Sequence, residues 1–342
     1  MLFNPSKMLF MSTLMLGIFI TISSNSWLSA WMGLEINLLS FIPLMMNKYD
    51  TLSNEASLKY FLTQAMASSL LLFSIILFLN HSLMNFNLWN FNFLTKLSLI
   101  NLILLIKTGS APFHFWFPSV MNSLSWFNSW ILMTLQKIAP FILIFYVFNY
   151  FIAMTSLIFS LIFGAIGGLN QISIRKIMSY SSINHMSWML TAMFFSKNLW
   201  LNYFIFYSLL TTSIVLLFNF FNIFYLNQIF LYNNNFISIK FSTFILLLSL
   251  GGLPPFIGFF PKWLIIQYLL MNNFYLILIL NVMFTLITLF FYLQLTYSAF
   301  MINSTSLKWM YIYQPLFMKT LMIILSYISI FGLIIMSLFF NY

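Results

Sequence analysis

The chain of 342 residues has no cysteine, only three acidic side chains, and only 5% charged residues in all. Without cysteine it can form neither a disulfide nor a Cys-ligated iron–sulfur cluster. It contains no Walker-type or dinucleotide-binding glycine signature, so nucleotide and flavin chemistry must lie elsewhere. Thirteen basic residues give a net charge of +10, but they are scattered and make no patch of the kind that binds nucleic acid. The N-terminus enters apolar sequence almost at once with no cleavable presequence, which fits synthesis on the side of the membrane where the chain inserts.

What fills the chain is hydrocarbon. It is 62% hydrophobic and 21% aromatic, with a mean hydropathy of +1.00. A soluble domain of this size has no interior large enough to hide that surface, so the solvent is a bilayer. Runs of about 20 apolar residues match a hydrocarbon core ~30 Å thick. The pattern predicts an all-α integral membrane protein with eleven spans, near 8–23, 26–46, 56–80, 97–118, 124–147, 150–169, 176–195, 199–224, 241–271, 274–301 and 319–340. The polar stretches 23–26, 47–54 and 232–235 read as loops. Alternating the spans puts Lys7, Lys48, Arg175, Lys176, Lys240, Lys308 and Lys319 on one side, against Lys96 and Lys197 on the other. This bias places the N-terminus on the cytoplasmic or matrix side and the C-terminus opposite.

Two of these spans contain the same interruption. Residues 109–118 and 252–261 both fit G-x-x-P-F-x-x-x-F-P, and the copies lie 143 positions apart (252 − 109). Proline donates no backbone N–H and clashes with the carbonyl four residues back. The carbonyls of Thr108, His114, Gly251 and Ile257 are therefore expected to be free. Such breaks are tolerated in hydrocarbon only where they are buried in protein or line a watery cavity, and paired breaks in matching halves point to a transporter's ion site. The span 241–271 accordingly reads as two half-helices.

Ionisable side chains inside spans each cost about 2.5–3.5 kcal/mol at a helix centre. Lys59 has a simple account, since it lies four residues after Glu55 near a span's start, where pairing and snorkelling suffice. Glu35 and Lys107 are deep, opposite in sign and without sequence-local partners. A lysine whose partner carboxylate can be engaged and released is a proton carrier, so the two are expected to face each other directly or through one water. Lys137 belongs to a polar band with Thr134 and Gln136, and Pro140 should release the Gln136 carbonyl beside it. Lys262 follows Pro261 at the second break. His114 lies inside the first break. His185 shares one helix face with Ser181, Asn184 and Trp188. His81 reads as a loop residue. The candidate proton relay is Glu35, Lys107, Lys137 and Lys262, with His114 and His185 beside it; no metal or cofactor site is read in the chain.

Several segments are familiar: Trp31–Leu38 (WMGLEINL), Glu55–Phe61 (EASLKYF), Lys107–Trp116 (KTGSAPFHFW), Gly167–Gln171 (GGLNQ), Ser181–His185 (SSINH) and Gly251–Phe256 (GGLPPF). They closely resemble the chain 2 family of mitochondrial NADH–ubiquinone oxidoreductase (respiratory complex I), and the resemblance runs the length of the chain. It implies a single antiporter-like transmembrane domain over 1–342, built of two inverted five-helix repeats with one broken helix each. Bacterial relatives have fourteen spans and animal versions lack the first three, which fits eleven and a matrix-side N-terminus. It implies that Glu35 and Lys107 form a coupling pair, that Lys137 is a central relay lysine, and that Lys262 is a terminal lysine near the exit. His114 and His185 would line a hydrated axis between them. NADH, FMN, iron–sulfur clusters and ubiquinone would be bound by other subunits. The partners would be other membrane-arm subunits, accessory subunits and phospholipids such as cardiolipin, in the mitochondrial inner membrane. Two rival readings share these residues: a self-standing cation/proton antiporter, and a non-pumping scaffold whose lysines only fix helix register.

Overall fold

The computed structural model describes residues 5–47, 50–83, 93–228 and 237–301, together with 320, 324, 326, 327 and 329–332. The span expected at 319–340 lies largely outside the described residues, as do the loop 232–235 and Lys48, Lys308 and Lys319.

Two compact units make up the chain, Met1–Ser160 and Leu161–Tyr342. The first holds α1 (Pro5–Ser23), α2 (Trp27–Met45), α3 (Thr51–Leu83), α4 (Phe93–Thr108), α5 (Trp116–Ser123), α6 (Trp126–Met133) and α7 (Leu135–Tyr146). Helix α8 (Tyr150–Gly168) crosses from one unit into the other. The second holds α9 (Ile174–Met193), α10 (Lys197–Phe220), α11 (Ile237–Gly251), α12 (Phe259–Met271) and α13 (Tyr275–Met301). Among the described residues, seven helices are long and apolar enough to cross a membrane: α1, α2, α3, α6 with α7, α8, α10 and α13. Others that the sequence reads as spans miss that measure for physical reasons. Helices α4, α11 and α12 are short apolar pieces flanking breaks. Helix α9 carries Ser, Asn and His along its length and buries nearly every residue from Ile174 to Met193. A helix buried on all sides inside protein has no lipid to satisfy, so it can be polar.

Lipid gives apolar helices little reason to associate, so they join where small residues let backbones approach. Helices α1 and α2 form such a pair. A Cβ on Gly17 would lie 3.0 Å from the Gly33 carbonyl, and one on Gly33 would lie 2.9 Å from the Gly17 carbonyl. Ser26 starts α2 as a capping box, with its hydroxyl accepting from Ser29 N at 3.3 Å.

Both predicted breaks are present, and the turns that open them fold alike. Each occupies the first seven positions of its pattern, 109–115 and 252–258, and a helix resumes at the eighth. Each begins with a glycine in the left-handed region, Gly109 at φ 75° and Gly252 at φ 79°. Gly109 N donates to Ile106 O and Ser110 N to Leu105 O; Gly252 N donates to Ser249 O and Leu253 N to Leu248 O. This is the Schellman closure, which needs a residue without a Cβ penalty at its turning point. Phe113 N to Ser110 O in the first copy is matched by Phe256 N to Leu253 O in the second.

Two expectations about the freed carbonyls require correction. The His114 carbonyl accepts from Phe117 N at 2.9 Å, and the Ile257 carbonyl from Phe260 N at 3.2 Å. Proline removes only the bond from four residues on, and a tighter turn from three residues on takes its place. The Gly251 carbonyl behaves as expected and is taken by a side chain.

A third interruption was not visible in the sequence. The span read as 124–147 is split at Thr134, with φ −116° and ψ −73°. The Thr134 N–H and hydroxyl both donate to the Trp130 carbonyl, at 3.0 Å and 2.7 Å. Lys137 N then reaches back only three residues, to Thr134 O at 3.2 Å. Back-bonding by a threonine hydroxyl bends membrane helices in this manner.

Candidate functional site

In the first unit, the break delivers two lysines to one cavity. Lys107 ends α4 just before the Gly109 turn, and Lys137 starts α7 just after the Thr134 interruption; they are 7% and 1% exposed. Both line a space of about 20 Å³, together with Asn37, Tyr60, Gln64, Thr108 and Gln136. A water needs roughly 10–15 Å³ by the same measure and two to four polar partners, so the cavity suits about one. The Lys137 ammonium lies 5.3 Å from the centroid of the Phe117 ring, which α5 brings in from the far side of the break. Amides tie the opposite wall together. Gln136 Nε2 donates to Asn37 Oδ1 at 3.0 Å, and the Tyr60 hydroxyl donates to Gln136 Oε1 at 3.4 Å.

Glu35 is half-buried on α2, two residues before Asn37. It is the acid whose charge acts on the Lys107 ammonium. Among the described residues the two make no direct ion pair within 4.0 Å, so the contact lies beyond direct reach. Helix α3 packs on both α2 and α4, the helices that carry them. Glu35 Oε2 is buried and accepts no hydrogen bond.

His114 is 3% exposed, with its ring stacked on Phe115 at 4.4 Å between centroids. A backbone hydrogen bond at Pro112 holds it within the break. It is not among the residues that line the cavity of Lys107 and Lys137. Lys59 and Glu55 are both exposed on α3.

In the second unit the break holds its lysine directly. Lys262, in the first turn of α12, donates from Nζ to the Gly251 carbonyl at 2.8 Å and is 5% exposed. Pro255 is the reason that carbonyl is available. The absent side chain of Gly252 provides the room, since a Cβ there would stand 2.8 Å from the ammonium. The Trp188 ring centroid lies 6.0 Å from Lys262 Nζ. The face Ser181, Asn184, His185 and Trp188 is buried as a whole. Nδ1 of His185 and the Tyr203 hydroxyl share a hydrogen bond of 2.8 Å, and Tyr207 flanks the imidazole at 5.2 Å between ring centroids. Asn184 Nδ2 donates to Thr288 Oγ1 at 3.3 Å.

The structure therefore brings Lys107 and Lys137 together within the first unit, with Glu35 acting at longer range, and sets Lys262 near Trp188 in the second. Reading the sequence for charge missed Asn37, Tyr60, Gln64 and Tyr203. The available signal was an amide or phenol alone within an apolar span, which costs free energy unless bonded. Among the described residues no group of three or more His, Cys, Asp or Glu is placed to hold a metal ion.

Comparison with known proteins agrees with this architecture. Residues 24–288 match the family described as NADH:quinone oxidoreductase/Mrp antiporter, TM. The chain is 54% identical over 337 residues to NADH-ubiquinone oxidoreductase chain 2 of Anopheles gambiae, covering 97% of each. It is 42% identical to the chain 2 of Locusta migratoria over 341 residues, covering 98% of this chain and 97% of that one. Among solved structures it resembles a chain of respiratory complex I from Thermus thermophilus with bound aureothin, at TM-score 0.83 and 22% identity, over 96% of this chain and 77% of that one. A chain of the Mrp complex from Dietzia sp. DQ12-45-1b has TM-score 0.71 at 16% identity, over 83% of this chain and 58% of that one. Those two likenesses are of fold. With family match, identity and coverage in agreement, the chain belongs to the NADH-ubiquinone oxidoreductase chain 2 family, within the wider NADH:quinone oxidoreductase/Mrp antiporter membrane family.

Proposed function

We propose that this chain is a core membrane-arm subunit of proton-pumping NADH:ubiquinone oxidoreductase and moves protons through buried lysines. One observation carries the reading: Lys107 and Lys137 line the same cavity of about 20 Å³, inside an apolar molecule, with an acid acting on one of them. Two ammoniums beside a single water repel each other strongly in a water-poor site. Charge on one lysine therefore biases the other toward releasing its proton. Glu35 sets which lysine keeps the charge, because moving the carboxylate toward or away from Lys107 shifts that balance. Lys262, held on a carbonyl exposed by a proline, is the corresponding station of the second unit. His114 and His185 are buried groups able to pass protons within the first and second units.

The redox chemistry belongs elsewhere. NADH, FMN, iron–sulfur clusters and ubiquinone are assigned to other subunits, and this chain receives their work through neighbouring membrane-arm subunits. Accessory subunits and phospholipids such as cardiolipin complete its surroundings in the mitochondrial inner membrane. The two units act as one transmembrane domain over 1–342, with eleven spans in two inverted five-helix repeats. The N-terminus lies on the matrix side and the C-terminus on the intermembrane-space side. The test is Lys137→Met in the intact enzyme, reconstituted in proteoliposomes. Protons translocated per electron should fall while assembly survives. A normal ratio would sink the relay, and loss of assembly that Lys137→Arg, whose guanidinium cannot give up its proton, repairs together with normal pumping would make Lys137 a register pin.

A further inference from the structure

Among the described residues Asn281 has no hydrogen-bond partner, and it lies inside one of the chain's most apolar helices. It lies six residues beyond the start of α13 at Tyr275 and is 0% exposed. Both ends of its amide, Oδ1 and Nδ2, are buried without a hydrogen bond. Burying an amide this way is costly, and native proteins satisfy such groups with protein or ordered water.

Its position gives the amide a role. Residues 272–274 turn α12 into α13, and the two helices pack together. At a rise of ~1.5 Å per residue, Lys262 stands about 15 Å from that turn and Asn281 about 10 Å. The other buried side chains in this stretch of the hairpin, Ile265, Leu269 and Ile277, are apolar. Asn281, Thr288 and Tyr292 share one face of α13 at helical spacing. That face reaches the Lys262 site: Thr288 accepts from Asn184, and the space beside Gly251, whose carbonyl holds Lys262, is bounded by Tyr292 at 3.5 Å. Asn184 Oδ1 and Trp188 Nε1 are also buried and unbonded on the facing side of α9.

We infer that Asn281 is a water-binding station that carries protons between Lys262 and the turn-side end of the α12–α13 hairpin. The amide itself selects the ligand. It presents one acceptor and two donors, so a cation would leave Nδ2 unsatisfied and an anion would leave Oδ1 so, whereas water bonds both. The bound water accepts a proton arriving from the lysine side and releases another toward the turn. Asn281 keeps its own protons throughout and orients the water. This rests on the lysine relay proposed above.

The experiment uses the assembled enzyme in proteoliposomes, with Lys262→Met, Asn281→Leu and Asn281→Ser measured side by side. Asn281→Leu should lower protons translocated per electron as Lys262→Met does, with NADH oxidation and assembly retained. Asn281→Ser, which keeps a donor, an acceptor and room for water, should restore the ratio. A loss with Lys262→Met but none with Asn281→Leu overturns the role of Asn281 alone. A normal ratio in both overturns the relay itself. Should Asn281→Leu not assemble, a water map of the unaltered enzyme decides: water bonded to both ends of the amide supports the station, and an amide bonded to protein alone overturns it.

Discussion

Gly252→Ala should disable the second unit's lysine without touching the lysine. Gly252 sits at φ 79°, a region that costs an alanine roughly 1–2 kcal/mol. The new Cβ would stand 2.8 Å from Lys262 Nζ, 2.9 Å from its Cδ and 3.1 Å from its Cε. The side chain must swing away, and its bond to the Gly251 carbonyl at 2.8 Å is lost. A hydrogen bond to a charged group is worth about 1.5–3 kcal/mol. Together the two effects come to roughly 2.5–5 kcal/mol. Gly251→Ala is the control one residue away. Its Cβ would meet nothing nearer than the Tyr292 ring at 3.5 Å, an ordinary contact. Both variants would be assayed in reconstituted enzyme for protons per electron and for the midpoint of thermal inactivation. Gly252→Ala should fall well below the parent in both, and Gly251→Ala should stay close to it. Equal behaviour of the two would refute the claim that Gly252 exists to seat Lys262.

Three further outcomes are expected. Glu35→Gln keeps the shape of the side chain and removes the charge acting on Lys107, so protons per electron should drop in enzyme that still assembles; unchanged stoichiometry and turnover would leave Glu35 a packing residue. Gly33→Leu should cut the yield of assembled enzyme several-fold, because its Cβ would meet the Gly17 carbonyl and the Thr21 backbone nitrogen, both at 2.9 Å, and overpacking costs ~1–3 kcal/mol or more; the same change at exposed Met32 should not. Tyr203→Phe removes the hydroxyl bonded to His185 Nδ1 at 2.8 Å and should cost about 1–3 kcal/mol of stability, read as a lower inactivation midpoint. An unmoved midpoint would mean that water replaces the phenol.

The membrane class, the two breaks and the lysines beside them could be read from the residues alone, for a local reason. Apolar run length, proline's missing N–H and glycine's freedom at positive φ act within a few residues, so the shared pattern at 109–118 and 252–261 sufficed to predict both interruptions. Partners across space were another matter. Four carbonyls were expected to be free, but a tighter turn claims those of His114 and Ile257 and a lysine claims that of Gly251, which depends on how the chain closes. The break at Thr134 arises from a hydroxyl choosing the Trp130 carbonyl, a choice that most threonines in helices make without breaking the helix. Opposite charge suggested that Glu35 and Lys107 meet, but how near they come is decided by the packing of the helices that carry them. Nothing along the chain linked Lys107 to Lys137, thirty residues on (137 − 107). Their common cavity exists because the Gly109 turn and the Thr134 interruption bring the two lysines and the Asn37–Gln136–Tyr60 amide–phenol wall together, which only tertiary packing can do.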